Sequence, residues 1–200
     1  ITQEVREKVA LFCNVDPEAV IESADVKTIY EVPVRMQHEG LDRVVLKRFG
    51  INPDTTVADM EQWNFFLNKL KTAEKEVKIA LVGKYVRLPD AYKSIIESLI
   101  HASAYNDRKL KLDLLLSDDI TEENVEATLK GYDGVLIAPG FGERGIEGKI
   151  ISARYTRENN IPTLGICYGM QVMAIEFARN VLGYKDAHTV EINPNAKHKV

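Results

Sequence analysis

A cysteine between two glycines, in the run Gly165-Ile166-Cys167-Tyr168-Gly169, is the stretch of this sequence best suited to covalent chemistry. Residues 161–164 before it form a short apolar run that predicts a buried strand, and residues 170–182 after it have the apolar spacing of a helix. A strand, a sharp turn and a helix make up a nucleophile elbow. Glycines suit the flanks of such a turn, because a Cβ there would crowd its neighbours.

The position predicted for Cys167 favours a reactive thiol. At a helix N-terminus the unpaired N–H groups and the helix dipole stabilise negative charge, and therefore the thiolate. The backbone N–H of Tyr168 would be free to donate to an oxyanion. The alternative is a buried structural cysteine, since free cysteine packs like a small hydrophobic residue. The strand and the helix on either side favour the catalytic interpretation.

Composition excludes several classes of function. The chain has 200 residues, 45% of them hydrophobic. Its net charge is −4 and charges of both signs are interspersed, so it has no basic stripe of the kind that binds nucleic acid. Two cysteines without paired spacing argue against a disulfide framework and for a reducing, cytoplasmic compartment. No apolar run reaches membrane-spanning length and no signal-peptide pattern is present, so we expect no membrane association.

The pattern of the chain changes twice along its length. Residues 1–50 are predicted to be mainly helical, and residues 51–75 are predicted to connect two domains. From residue 76 to residue 200, short apolar strands alternate with amphipathic helices. This alternation predicts an α/β fold with a mostly parallel, doubly wound sheet. Chemistry in such sheets lies at the carboxyl ends of the strands, where both the cysteine loop and the loop 139–142 are expected.

Several motifs resemble one known family. The segment Gly165–Gln171 resembles the nucleophile motif of class I glutamine amidotransferases, and Gly140–Lys149 resembles a loop typical of the CTP synthases within that class. Similar matches are found at Ala10–Val15, Gly83–Tyr85 and Leu88–Ser94. The resemblance covers essentially the whole chain. It implies a flavodoxin-like strand order preceded by the helical tail of another domain.

The resemblance also implies two coupled reactions. One domain hydrolyses L-glutamine to ammonia, while the other uses ATP with Mg²⁺ to activate the 4-oxygen of UTP, which ammonia displaces to give CTP. Residues 1–50 would be the end of the synthetase domain, 51–75 the linker, and 76–200 the first part of the amidotransferase domain. GTP as an activator and a homotetramer are further implications. The ATP phosphate loop and the metal carboxylates would precede residue 1, so the chain is expected to be an interior fragment with no metal ligands of its own.

Site residues follow from the resemblance position by position. Cys167 would be the nucleophile, and Glu191 would hold the substrate's amino group. The glutamine site would be completed by Gly140 and by the backbone of Tyr168, Gly169, Met170 and Gln171.

A nucleotide site is implied in the first fifty residues. Lys8 matches a basic residue at the UTP site, and Ala24, Asp25 and Val26 match a segment that touches the ATP base. Without the resemblance, Lys8 would be interpreted as a solvated charge, Asp25 as a helix cap and Glu191 as a solvent-facing strand residue.

Two departures and one absence qualify the match. Pro139 stands where the family usually has glycine and has no N–H, so the oxyanion donor of this loop is predicted to be the Gly140 amide. Tyr168 replaces a leucine, which leaves its backbone donor unchanged. The resemblance implies a histidine, oriented by a glutamate, that activates the thiol from well downstream of the elbow. That segment is expected to lie beyond residue 200, and neither His188 nor His198 lies in a His-Pro-Glu frame. The chain alone is therefore expected to be inactive.

Two other interpretations remain open at the level of sequence. One is a hydrolase of a different substrate, similar to the peptidases and chaperones that share a cysteine elbow. The other is a flavodoxin-like regulatory module in which Cys167 is inert. Labelling with a glutamine analogue would separate the last interpretation from the others.

Overall fold

The computed structural model of the chain describes residues 1–56, 58–88 and 90–200. It divides into two compact units, Ile1–Lys71 and Thr72–Val200. None of the described helices combines the length and the apolar character needed to cross a membrane.

The first unit is helical, as the sequence predicted. Its helices are α1 (Gln3–Cys13), α2 (Val32–His38), α3 (Leu41–Arg48) and α4 (Glu61–Thr72). The side chain of Thr2 caps α1 by accepting a hydrogen bond from the Val5 amide at 3.4 Å.

One predicted element of this unit is wrong. The apolar run Ala19-Val20-Ile21 predicts a short strand by its composition, but a 3₁₀ turn occupies Pro17–Ala19 and the residues after it form no strand. The fixed φ of proline suits the start of such a turn.

The helix α4 occupies much of the predicted connector, residues 51–75. The Trp63 indole donates to the Tyr30 carbonyl at 2.8 Å, and the ring of Phe66 lies edge-on to that of Tyr30, with centroids 5.1 Å apart. These contacts hold α4 within the first unit. Residues 73–75 connect it to the strand that follows.

The second unit is a parallel four-stranded sheet with the order β2-β1-β3-β4, which confirms the predicted α/β class and flavodoxin-like order. Its elements, in chain order, are β1 (Glu76–Gly83), α5 (Lys93–Tyr105), β2 (Lys109–Leu116), α6 (Val125–Leu129), β3 (Gly134–Ile137), α7 (Ile146–Glu158), β4 (Thr163–Gly165) and α8 (Tyr168–Asn180).

Helices cover both faces of this sheet. Side chains alternate between faces along a strand, so Ala80 and Val82 pack on one side and Leu81 on the other. Leu129 of α6 and Ala153 of α7 cover the first side, while Tyr92 and the apolar residues of α5 cover the second. Because β1, β3 and β4 are parallel neighbours, their carboxyl ends lie side by side at one edge of the sheet.

Candidate active site at the carboxyl edge of the sheet

Cys167 lies on the sharp turn between β4 and α8. Its backbone has φ 55° and ψ −114°, a conformation that residues with a Cβ rarely adopt. The side chain is exposed. Strain of this kind persists only where the surroundings impose it, and it is typical of active sites. The strand, sharp turn and helix that the sequence predicted around Cys167 are therefore present in the structure.

The two glycines of the motif allow this turn to pack tightly. A Cβ on Gly165 would lie 2.6 Å from the Met170 nitrogen, so this glycine lets the turn fold back on α8. A Cβ on Gly169 would lie 2.8 Å from the carbonyl carbon of Ile137 in β3 and closer still to its oxygen. The same carbonyl accepts a hydrogen bond from Ile166 at 3.1 Å, which ties the elbow to β3.

The first turn of α8 leaves one amide available to a substrate. The amides of Met170 and Gln171 donate to the Cys167 carbonyl at 3.1 and 3.4 Å, and the Gly169 amide donates to Ile166 at 2.9 Å. Within the described ranges the Tyr168 amide meets no acceptor. Of the four backbone donors that the sequence grouped at the glutamine site, Tyr168 is thus the one free to hold an oxyanion.

The loop after β3 lies beside the elbow, because β3 and β4 are paired neighbours with Ile137 opposite Gly165. Gly140 has φ 124°, and a Cβ there would lie 3.1 Å from side-chain atoms of Lys84 and Tyr85, so only glycine fits. The buried Lys84 donates to the carbonyl of Phe141. In the part of the chain that the structure describes, the Gly140 amide has no acceptor. This amide is therefore available to donate to a bound molecule.

A buried lysine beneath this loop was missed by sequence reasoning. Lys149 is 1% exposed, and its ammonium donates to the carbonyls of Ala138 at 2.8 Å and Pro139 at 3.4 Å. Burial, assisted by the charge of Lys84, lowers the pKa of Lys149 to about 8. The only sequence signal was its place at the end of the segment Gly140–Lys149.

The side chain of Tyr168 is fully buried, although its backbone faces the site. Its ring packs 5.5 Å from that of Phe141, within a cluster of apolar side chains from α7 and α8. Its hydroxyl has no hydrogen-bond partner among the described residues. Burial raises the pKa of Tyr168, and the negative charge of Glu191 raises it further.

Glu191 is exposed on a turn, and not on the strand that the simplest interpretation of the sequence assumed. Its amide donates to the Thr189 hydroxyl at 3.5 Å. The carboxylate is near enough to Tyr168 for its charge to act on that hydroxyl. An exposed carboxylate close to the start of α8 is available to a cationic group of a substrate.

The two histidines near the end of the chain are engaged elsewhere. The Nδ1 atom of His188 accepts a hydrogen bond from the Thr189 amide at 2.9 Å, and burial lowers the pKa of this histidine. His198 pairs with Asp186 and stacks on Tyr184, with ring centroids 4.1 Å apart. Across the described ranges no group of three or more His, Cys, Asp or Glu side chains could hold a metal ion.

The residues proposed for nucleotide binding lie in the first unit. Lys8 is exposed on α1, and Ala24, Asp25 and Val26 lie in an irregular segment without helix or strand. Asp25 does not cap the following turn, because Thr28 does so by accepting a hydrogen bond from Tyr30 at 3.4 Å. No hydrogen bond joins Lys8 to residues 24–26 in the described structure.

Family models match both units. Residues 87–199 match the model for glutamine amidotransferase class-I, and residues 1–51 match the model for the CTP synthase N-terminus. The first match covers more than half of the chain.

Curated relatives match the chain along its whole length. A CTP synthase of Porphyromonas gingivalis is 56% identical over 197 residues, which are 98% of this chain and 36% of that protein. A CTP synthase of Bacteroides fragilis is 54% identical over 200 residues, 100% of this chain and 37% of that protein. The chain thus spans little more than a third of the length of these relatives.

A solved structure shares the fold of the second unit. The glutaminase domain of Trypanosoma brucei CTPS, solved with bound acivicin, is 38% identical and superposes with a TM-score of 0.58. The match covers 62% of this chain and 48% of that one.

Proposed function

The chain belongs to the class I glutamine amidotransferase family, and on that premise we propose that its second unit uses Cys167 to hydrolyse L-glutamine. The observation that carries the proposal is the strained elbow. It presents an exposed thiol at the N-terminus of a helix of 13 residues, next to two amides that have no acceptor among the described residues. A structural cysteine would not require a left-handed backbone and two glycines that no larger residue could replace.

The geometry supports a reaction through a thioester. The Cys167 thiolate attacks the carboxamide carbon of glutamine, and the amides of Tyr168 and Gly140 donate to the oxyanion that forms. The C–N bond then breaks, and the nitrogen leaves as ammonia after it receives a proton. Water cleaves the thioester to release glutamate and restore the thiol.

The ammonia is proposed to serve CTP synthesis. This step rests on the match of residues 1–51 to the CTP synthase N-terminus and on the names of the relatives. In the complete protein, ATP with Mg²⁺ would activate UTP for attack by ammonia, and GTP would act as an activator. Lys8 and residues 24–26 would contribute to the nucleotide site of a cytoplasmic homotetramer, with residues 1–50 forming the tail of the synthetase domain.

The chain alone is proposed to release no ammonia. The leaving nitrogen needs a proton donor and the attacking water needs a base, and a histidine fills both roles in a cysteine amidotransferase. His188 and His198 hold other partners in the described structure, and neither is oriented by a glutamate.

Thiol labelling tests the proposal on the chain as it stands. Both cysteines are exposed, so Cys13 is an internal control for accessibility. The helix dipole favours the thiolate by about 0.3–2 kcal/mol, so iodoacetamide should alkylate Cys167 about 2- to 30-fold faster than Cys13. An electrophilic glutamine analogue such as acivicin should label Cys167 alone. Peptide mass spectrometry measures both reactions, and preferential labelling of Cys13 would favour the non-catalytic module.

The role of Glu191 in glutamine binding can be tested in the complete protein. A carboxylate that holds the substrate's ammonium forms a charge-assisted hydrogen bond, so Glu191→Ala should raise the KM for glutamine about ten- to a hundredfold. Ammonia-dependent CTP formation should not change. Glu126→Ala, which removes an exposed carboxylate on α6, is the matched control and should leave both activities intact. Loss of both activities in Glu191→Ala would show that Glu191 is structural.

A further inference from the structure

Lys149 is a buried cation without an acidic partner in the described structure. It lies on α7 with 1% of its surface exposed, and no described carboxylate lies within 4.0 Å of its nitrogen. Its contacts are the carbonyl oxygens of Ala138 and Pro139 and the face of the Tyr168 ring, whose centroid is 6.0 Å away. Burial of an ammonium is unfavourable, and an apolar side chain of similar length would avoid that penalty. Packing alone therefore does not account for a lysine at this position.

The two carbonyl contacts determine the direction in which the neighbouring amide points. The Pro139 carbonyl and the Gly140 N–H belong to one planar trans peptide, so they point in opposite directions. When the Pro139 oxygen faces the ammonium, the Gly140 N–H faces away from it. Glycine rotates freely about its backbone, so the orientation of this amide depends on such an anchor.

The backbone that carries the Lys149 side chain is itself held in place. Gly148 approaches the backbone of Ser117 so closely that a Cβ would overlap the Ser117 carbonyl. Ser152 donates back to the Gly148 carbonyl at 2.7 Å. The start of α7 is thus packed firmly against the end of β2, which gives the Lys149 side chain a fixed point from which to reach the loop.

Charges from three other elements act on Lys149. Lys84 at the end of β1 opposes its charge, while Asp118 after β2 and Cys167 before α8 favour it. With a pKa lowered to about 8, the side chain is mainly an ammonium at neutral pH.

We propose that Lys149 is a positioning residue for glutamine hydrolysis. Its ammonium holds the carbonyls of Ala138 and Pro139 and so directs the Gly140 amide toward the forming oxyanion. The inference rests on the proposed function. It accounts for how a loop with proline at position 139 still supplies an oxyanion donor.

The test replaces Lys149 with methionine, which has a similar length but no charge, in the complete protein. Loss of one oriented oxyanion donor should lower kcat for glutamine hydrolysis about 10- to 100-fold, with KM changed less than about twofold. Ammonia-dependent CTP formation should be unchanged. Alkylation of Cys167 by iodoacetamide uses no oxyanion donor, so it should keep its wild-type rate.

Two further variants separate this role from a structural one. Lys149→Arg keeps a charged donor for the two carbonyls, so it should recover part of kcat. Lys130→Met removes an exposed lysine on the same unit and should change neither kcat nor the alkylation rate. Circular dichroism and thermal unfolding report whether each variant is folded.

The outcomes are distinguishable. A folded Lys149→Met protein with wild-type kcat for glutamine hydrolysis would overturn the inference. Equal loss of the glutamine- and ammonia-dependent reactions would overturn it as well, because that result indicates a structural role. A wild-type protein that does not hydrolyse glutamine would refute the proposed function, and the inference with it.

Discussion

Replacing Cys167 with alanine in the complete protein is expected to abolish glutamine-dependent CTP formation and to leave ammonia-dependent formation intact. The thiol forms the covalent intermediate, and removal of a nucleophile in a comparable catalytic unit lowers kcat by roughly 10⁴-fold or more. Ammonia from solution bypasses this step. Alanine also removes only one exposed sulfur atom, so the fold should persist.

The measurement follows CTP formation with glutamine or with ammonium chloride as the nitrogen source. Cys13→Ala is the matched control, since this second cysteine is also exposed but lies at the end of α1. Its two activities should equal those of the wild type. Glutamine use by the Cys167→Ala variant would disprove the amidotransferase mechanism.

Replacing Gly169 with alanine is expected to destroy the elbow itself. The new Cβ would meet the carbonyl of Ile137, and both partners are backbone atoms, one at the start of α8 and one in the central strand β3. Neither can move without disrupting the sheet or the helix. We expect the free energy of unfolding to fall by about 3 kcal/mol or more, with loss of glutamine hydrolysis.

Urea denaturation measures this effect, and Gly183→Ala is its control. Gly183 also has a positive φ, 78°, but a Cβ there would meet nothing within 4 Å. Only the conformational penalty of about 1–2 kcal/mol remains, and catalysis should persist. Equal destabilisation by the two substitutions would show that the close contact with Ile137 is not what requires glycine at position 169.

The sequence determined those parts of the fold that depend on local pattern. Runs such as residues 79–82 and 134–137 are apolar throughout, which is typical of a strand covered on both faces, and amphipathic helices alternate with them. Their alternation permits few arrangements other than a parallel doubly wound sheet. The elbow also depends on local sequence. A cysteine that lies between two glycines, after a strand and before a helix, can adopt few backbone conformations.

Such local patterns could not predict contacts between residues that lie far apart along the chain. Lysine is seldom buried, so nothing in the sequence indicated that Lys149 and Lys84 would lie beneath the same loop. The sequence also could not show which amide of the motif stays free to bind a substrate. The amides of Met170 and Gln171 donate to the Cys167 carbonyl only once the turn has formed, and the Tyr168 amide does not. Likewise, α4 joined the first unit through a contact between Trp63 and Tyr30, which are far apart along the chain.

The physical reason is the range of the interactions. Strand and helix propensities act over a few residues, so composition and spacing suffice to predict an element and the turn after it. Burial of a charge and the satisfaction of a backbone amide depend on which carbonyls three or four separate segments bring to one point. In this chain the thiol and its turn were therefore set by sequence. The orientation of the groups around the thiol was decided only when β1, β3 and α7 packed together.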